Sequence, residues 1–104
     1  MIRVLHLAPR YIPHIGGSAL RLKNLLEPIA AEVESHVVVT RYDRHGTALY
    51  AQNVSNEEII NGVHVHRVSF PWQLPLCILE LCRKYRVRIL QVHNLQLIPY
   101  TLLA

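Results

Sequence analysis

Cysteine, aromatic residues and acidic groups are all scarce in this chain, and each shortage closes off a class of function. Cys77 and Cys82 are the only cysteines, and their five-residue spacing sets them on different sides of a helix, so neither a disulfide framework nor a cysteine-rich zinc site is available. They read as small hydrophobes in a reducing compartment. One Trp, one Phe and five Tyr make no series of stacking platforms, and neither a helix-turn-helix pattern nor a concentrated basic stripe accompanies them. A nucleic-acid partner is therefore not expected, although the net charge of +4 suits some anionic partner, phospholipid headgroups and nucleotide phosphates included. The basic residues are dispersed except for Arg83, Lys84, Arg86 and Arg88. No apolar run reaches the roughly 18 to 20 residues that span a bilayer, because Gln73, Pro75 and Glu80 interrupt the richest region. The opening residues are too short an apolar stretch for a signal peptide. The chain is expected to be cytoplasmic, with peripheral contact at a membrane surface left open.

What is present is apolar material, 51% of 104 residues, enough for one small core. Ile2–Leu7 is a short apolar run closed by Ala8 and Pro9, the pattern of a buried parallel strand. Residues 10–17 carry Pro13, Gly16 and Gly17 and form a loop. From Ser18, a candidate N-cap, Leu22, Leu25, Leu26, Ile29 and Val33 recur at helical spacing; a helix of about four turns follows, which Pro28 kinks or shortens. His36–Tyr42 predicts a second strand through its Val-Val-Val-Thr run, and residues 43–56 are a polar, aperiodic excursion. Asn61-Gly62 marks a tight turn inside a hairpin between Glu57 and Val68, with the third strand at Val63–Val68. Pro71 and Pro75 bracket a break, Leu76–Tyr85 reads as a helix, Val87–Val92 as the fourth strand, and Leu95–Ala104 opens another helix. This alternation predicts an α/β unit with a mostly parallel sheet flanked by helices, right-handed crossovers, and the first and fourth predicted strands side by side.

In such a sheet ligands gather beyond the C-terminal ends of the strands. The loop after the first strand and the His93-Asn94 pair after the fourth are then able to face one cleft. Gly16 and Gly17 let the backbone approach a ligand closely, and the helix starting near Ser18 offers unpaired N–H groups and its positive dipole end to a phosphate. A Gly-Gly turn that merely reverses the chain is the competing reading on spacing alone. The dinucleotide fingerprint G-x-G-x-x-G is missing. Arg10 and His14 stand in the same loop, either steering a phosphorylated or lipid-linked acceptor or lying in solvent. His64 and His66 share one face of the third predicted strand, as metal ligands can, but no third ligand is evident from the sequence. They are read as structural or surface residues, and no metal is expected.

The stretch Ile2–Leu26, IRVLHLAPRYIPHIGGSALRLKNLL, resembles the N-terminus of family 4 retaining glycosyltransferases, with its apolar strand, Pro-rich loop, Gly-Gly and helix carrying Asn-Leu. HVVVTRYD, INGVHVHRV and VRILQVHN resemble three further segments of that family in the same order, so the resemblance covers essentially the whole chain. It implies a Rossmann-like sheet forming part of the N-terminal, acceptor-side domain of a GT-B fold, with the donor-binding C-terminal domain absent from these residues. It implies transfer of a sugar from a nucleotide-diphosphate sugar to an acceptor hydroxyl with retention of configuration. Lipid-directed members are similar in the same places, so the acceptor is a sugar, a lipid-linked molecule or a small molecule. Position by position, Gly16 and Gly17 match the loop against the donor diphosphate. His93 matches a histidine pointing at the transferred sugar, where a neutral imidazole can donate or accept a hydrogen bond. Arg10, His14, Ser18 and Asn94, in the same two segments, are the candidate substrate-binding residues. Gln91, Ala19 and Arg88 depart from the family's usual His, Glu and Asp, which bears on acceptor identity. The 104 residues alone are expected to be inactive, completed by a further domain or a partner chain. The alternative from a different class is a non-catalytic α/β docking subunit completed by a partner chain.

Overall fold

Six residues from Ile2 to Leu7 form the first strand, β1, and its hydrophobic run is explained by its position: it hydrogen-bonds to a neighbour on each side. The structure is a computed structural model that describes residues 2–8, 11, 17–41 and 55–92. After β1 come α1 (Gly17–Leu26), a 3₁₀ turn (Glu27–Ile29), β2 (Val33–Thr40), β3 (Glu57–Ile60), β4 (Val63–Val68), a second 3₁₀ turn (Pro71–Gln73), α2 (Leu74–Tyr85) and β5 (Ile89–Val92). The five strands make one sheet in the order β3-β4-β2-β1-β5. All neighbours are parallel except β3, which runs antiparallel to β4. The fold is thus a small α/β unit with a mostly parallel, mixed sheet.

Side chains of successive strand residues point to opposite faces, and the core divides accordingly. On one face Ala8, Tyr11, Val37, Val39, Val63 and Val65 pack with Leu22 and Leu26 of α1. On the other, Leu5, Leu7 and Val38 pack with Leu74, Ile78 and Leu81 of α2. Val37, Val38 and Val39 serve both cores in turn, which is why β2 reads as an unbroken apolar run. Cys77 and Cys82 are free thiols that both pack against the α2 core, so they share one interface instead of facing opposite ways.

Several boundaries differ from the sequence expectation, each for a local reason. α1 stops at Leu26 and continues only as a 3₁₀ turn, because Pro28 lacks the N–H that a further α-turn would need. Val33, expected at the end of that helix, begins β2 opposite Ile2, while Leu25 points outward at 56% exposure. Ser18 lies inside the first turn of α1, one residue past its start, instead of preceding it as the cap. β2 starts three residues before His36, because pairing with β1 continues down to Val33. α2 begins at Leu74 with Pro75 in its first turn, a position where a missing N–H has no partner to lose. It ends at Arg86 in the left-handed conformation (φ 53°), and this turn delays β5 to Ile89, not Val87. Tyr42, the rest of the polar excursion through residue 54, and the helix expected from Leu95 lie outside the described residues.

The hairpin turn is tied to the end of α1. Asn61 (φ 49°) and Gly62 (φ 86°) are both left-handed, the backbone of a type I′ turn between β3 and β4. Asn61 Nδ2 donates to Glu27 Oε2 at 3.0 Å, and Lys23 pairs with the same Glu27 carboxylate at 3.3 Å. A Cβ on Gly62 would stand 2.8 Å from Ala30 Cβ. Gly62→Ala therefore meets a backbone penalty and a clash together, and is expected to lower unfolding free energy by about 2–4 kcal/mol in a urea titration. A loss below about 0.5 kcal/mol would show that the turn does not rest on α1 as described.

Candidate functional site

The return from β1 through α1 to the adjacent parallel strand β2 brings the start of α1 to the end of the sheet where the parallel strands finish. There Leu7 of β1 is in register with Val92 of β5, so these two strands finish side by side. Ala8 N–H is held by Val38 O at 3.2 Å, and Tyr11 returns the chain to the core under α1 with its side chain fully buried. Of the residues expected at this cleft, Gly17 and Ser18 open α1. Arg10, His14, Gly16, His93 and Asn94 lie outside the described residues.

Tyr11 anchors the loop after β1 in an apolar setting. Its hydroxyl has no hydrogen-bond partner among the described residues, and burial, with some help from the Glu27 carboxylate, pushes the phenol up to about 12. Because the folded value is raised above the ordinary 10.0, the stability this provides is full below pH 10 and is lost as pH rises through about 12. Tyr11→Phe removes an unsatisfied buried hydroxyl, so its stability at pH 7 is expected to equal or exceed the parent's by up to about 1 kcal/mol. Its melting temperature should also fall less between pH 10 and pH 12. A marked loss at pH 7 would reveal a partner for the hydroxyl.

A second polar constellation lies on the α2 face, in the N-terminal half of the strands and away from the Gly17 end. Glu34 and His36 are two residues apart on β2, and His36 is in register with His64 of β4. His66, two residues further along β4, and Glu57 of β3 complete the row. Arg3 Nε donates to Glu34 Oε2 at 2.9 Å, and that oxygen is 2.8 Å from His36 Nε2. His36 Nδ1 meets His66 Nε2 at 3.0 Å, and His66 Nδ1 meets Glu57 Oε1 at 3.3 Å. Tyr85, at the end of α2, covers the group with its ring 4.3 Å from that of His36, and Arg3 Nη1 donates to the Tyr85 carbonyl at 3.1 Å. His36 is wholly inaccessible and His66 nearly so.

The electrostatics of this row are uneven. The hydrogen bond from His36, followed by the charges around it, holds the Glu34 carboxyl below its ordinary range. Burial lowers both His36 and His66, against the opposing pull of Glu34 on the first and Glu57 on the second. Three contacts join two carboxylates and two imidazoles, and each needs one N–H; two neutral rings supply two. The row thus has one acceptor contact more than neutral imidazoles fill. A groove of about 670 Å³ runs beside it between β4 and α2, lined by Glu57, His66, Arg67, Gln73, Cys77 and Glu80. The Cys77 thiol there is pushed up to about 11 by burial and, secondarily, by Glu80, so it is a poor nucleophile.

The sequence reading noted His64 and His66 but missed Glu34, His36 and Glu57 as their partners. The available signal was the period-two pairing of Glu-x-His at 34–36 with His-x-His at 64–66, which converges only once β2 and β4 are placed in parallel register. No family model, curated protein or solved structure matches the chain. Among the described residues, no helix is long and apolar enough to cross a membrane.

Proposed function

We propose that this chain is the acceptor-side, N-terminal part of a retaining glycosyltransferase with a Rossmann-like sheet of GT-B type. The observation that supports the reading is the parallel pairing of β1 with β5, Leu7 opposite Val92, which ends the two strands that precede the Gly16-Gly17 and His93-Asn94 segments in the sequence at the same end of the sheet. Those two segments bear the resemblance at the positions that touch substrate in family 4 enzymes. Backbone N–H groups at the start of α1 face developing negative charge on the donor diphosphate as it leaves. The new bond forms between the anomeric carbon and the acceptor oxygen, the bond to the diphosphate breaks, and the acceptor's hydroxyl proton passes to the departing diphosphate oxygen. His93 holds a sugar hydroxyl, and Arg10, His14, Ser18 and Asn94 orient the substrates. No metal is assigned to this step. The donor nucleotide needs a second wall facing this sheet to hold donor and acceptor together.

Amide chemical shifts of the isotope-labelled chain, titrated with UDP, GDP and a panel of their sugar conjugates at millimolar concentration, test this reading. Shifts are expected at Ala8, Gly17, Ser18 and Val92, and not at Val33 or Ile89 at the other end of the strands. Shifts confined to that other end, or no shifts with any nucleotide, would overturn it and leave the docking-subunit alternative.

A further inference from the structure

Two imidazoles and a carboxylate meet on the α2 face of β2 and β4 at a site independent of the cleft just discussed. One ligand atom from each of Glu34, His36 and His64 lies within 4.8 Å of the others. Ligands about 2.0–2.2 Å from a tetrahedral ion are roughly 3.4 Å apart, so binding draws the three atoms closer and turns the His64 ring, stacked on His36 with 27° between the planes, until its in-plane lone pair points at the ion. We propose that Glu34, His36 and His64 bind a divalent ion of the zinc class, with His66 and Glu57 fixing the His36 ring from behind.

Three independent features of the site support this. The donor set, two neutral nitrogens and one carboxylate oxygen, matches the preference of Zn²⁺ and its first-row neighbours and not that of Mg²⁺ or Ca²⁺, which favour oxygen. The strands hold the donors in place: His36 and His64 are register partners with rings 4.5 Å apart, and Glu34 sits two residues before His36 on the same face. Finally, an ion on His36 Nε2 resolves the hydrogen-bond count of the row. His36 then donates its Nδ1–H to His66 Nε2, and His66 donates its Nδ1–H to Glu57, so every contact has one positive centre or one proton. This is the carboxylate–histidine support that metal-ligating imidazoles ordinarily have.

Access and competition are also defined. The Glu34 side chain is 22% exposed and His64 is half-buried, so an ion reaches the site from solvent although His36 is sealed. Arg3, paired with Glu34 at 2.9 Å, is the cation an incoming metal has to share the carboxylate with. Three protein ligands leave one position of a tetrahedral shell for water.

The test is titration of the 104-residue chain with Zn²⁺ alone, in competition with a chromophoric chelator, and with Co²⁺ as a spectroscopic probe. One ion per chain is expected, with the intense visible bands of four-coordinate Co²⁺. His64→Gln and Glu34→Gln should each weaken Zn²⁺ binding at least tenfold, and His66→Gln by about 10–100-fold, the range for second-shell partners. Absence of stoichiometric binding, a pale six-coordinate Co²⁺ spectrum, or full affinity in a folded His64→Gln chain would overturn the proposal. The Co²⁺ readout on the unsubstituted chain decides the matter even where a variant fails to fold.

Discussion

Hydrogen bonding of β1 along both of its edges is the constraint from which the rest of the molecule follows. Flanked by β2 and β5, the strand has Leu5 and Leu7 fully buried, each worth about 1.5–3 kcal/mol of transfer free energy relative to exposure. Its central position requires helices on both faces, and α1 and α2 supply them. It also aligns the strand ends, Leu7 with Val92. The same alignment carries β2 against β4 and thereby sets His36 opposite His64.

The two faces handle polarity differently. Beneath α1 the core is mainly aliphatic, with Tyr11 as its largest member, and Arg67 on the same face of the sheet pairs with Glu58 at 2.7 Å and donates to Ser55 O. The Arg67 side chain is inaccessible, and a buried guanidinium of this kind is tolerated because it is paired and hydrogen-bonded. Beneath α2 an aliphatic half around Leu7, Val38 and Leu74 gives way to the row from Arg3 through the histidines to Glu57. Polar groups retained in a helix–sheet interface have to be satisfied, and a metal ion does so more completely than neutral imidazoles can.

Much of the fold was legible because it depends on short-range chemistry. The apolar run at Ile2–Leu7, the Asn61-Gly62 turn and the strand at Val63–Val68 emerge at the expected positions, since turn geometry and period-two patterning are local. The adjacency of β1 and β5 was legible through the usual strand order of a doubly wound sheet. Helix and strand ends were less so: whether Val33 finishes a helix or starts a strand depends on how far β1 offers hydrogen-bond partners, which is long-range information. The histidine row was the least legible feature. Glu34 and His64 are thirty positions apart, and their convergence depends on a register between strands that are not consecutive in the sheet's chain order. For the cleft, the sequence supplied the candidate residues through resemblance, and the structure supplies the frame around Gly17, Ser18 and the ends of β1 and β5.

Both functional proposals depend on the same sheet order, because the cleft needs β1 beside β5 and the metal site needs β2 beside β4. The most direct measurement is a set of backbone nuclear Overhauser contacts on the labelled chain. The account predicts parallel cross-strand contacts from β1 to both neighbours, in the registers Leu7–Val92 and Leu7–Val38, together with contacts between His36 and His64. A β1 that contacts only β2, with β5 elsewhere or antiparallel, would contradict it.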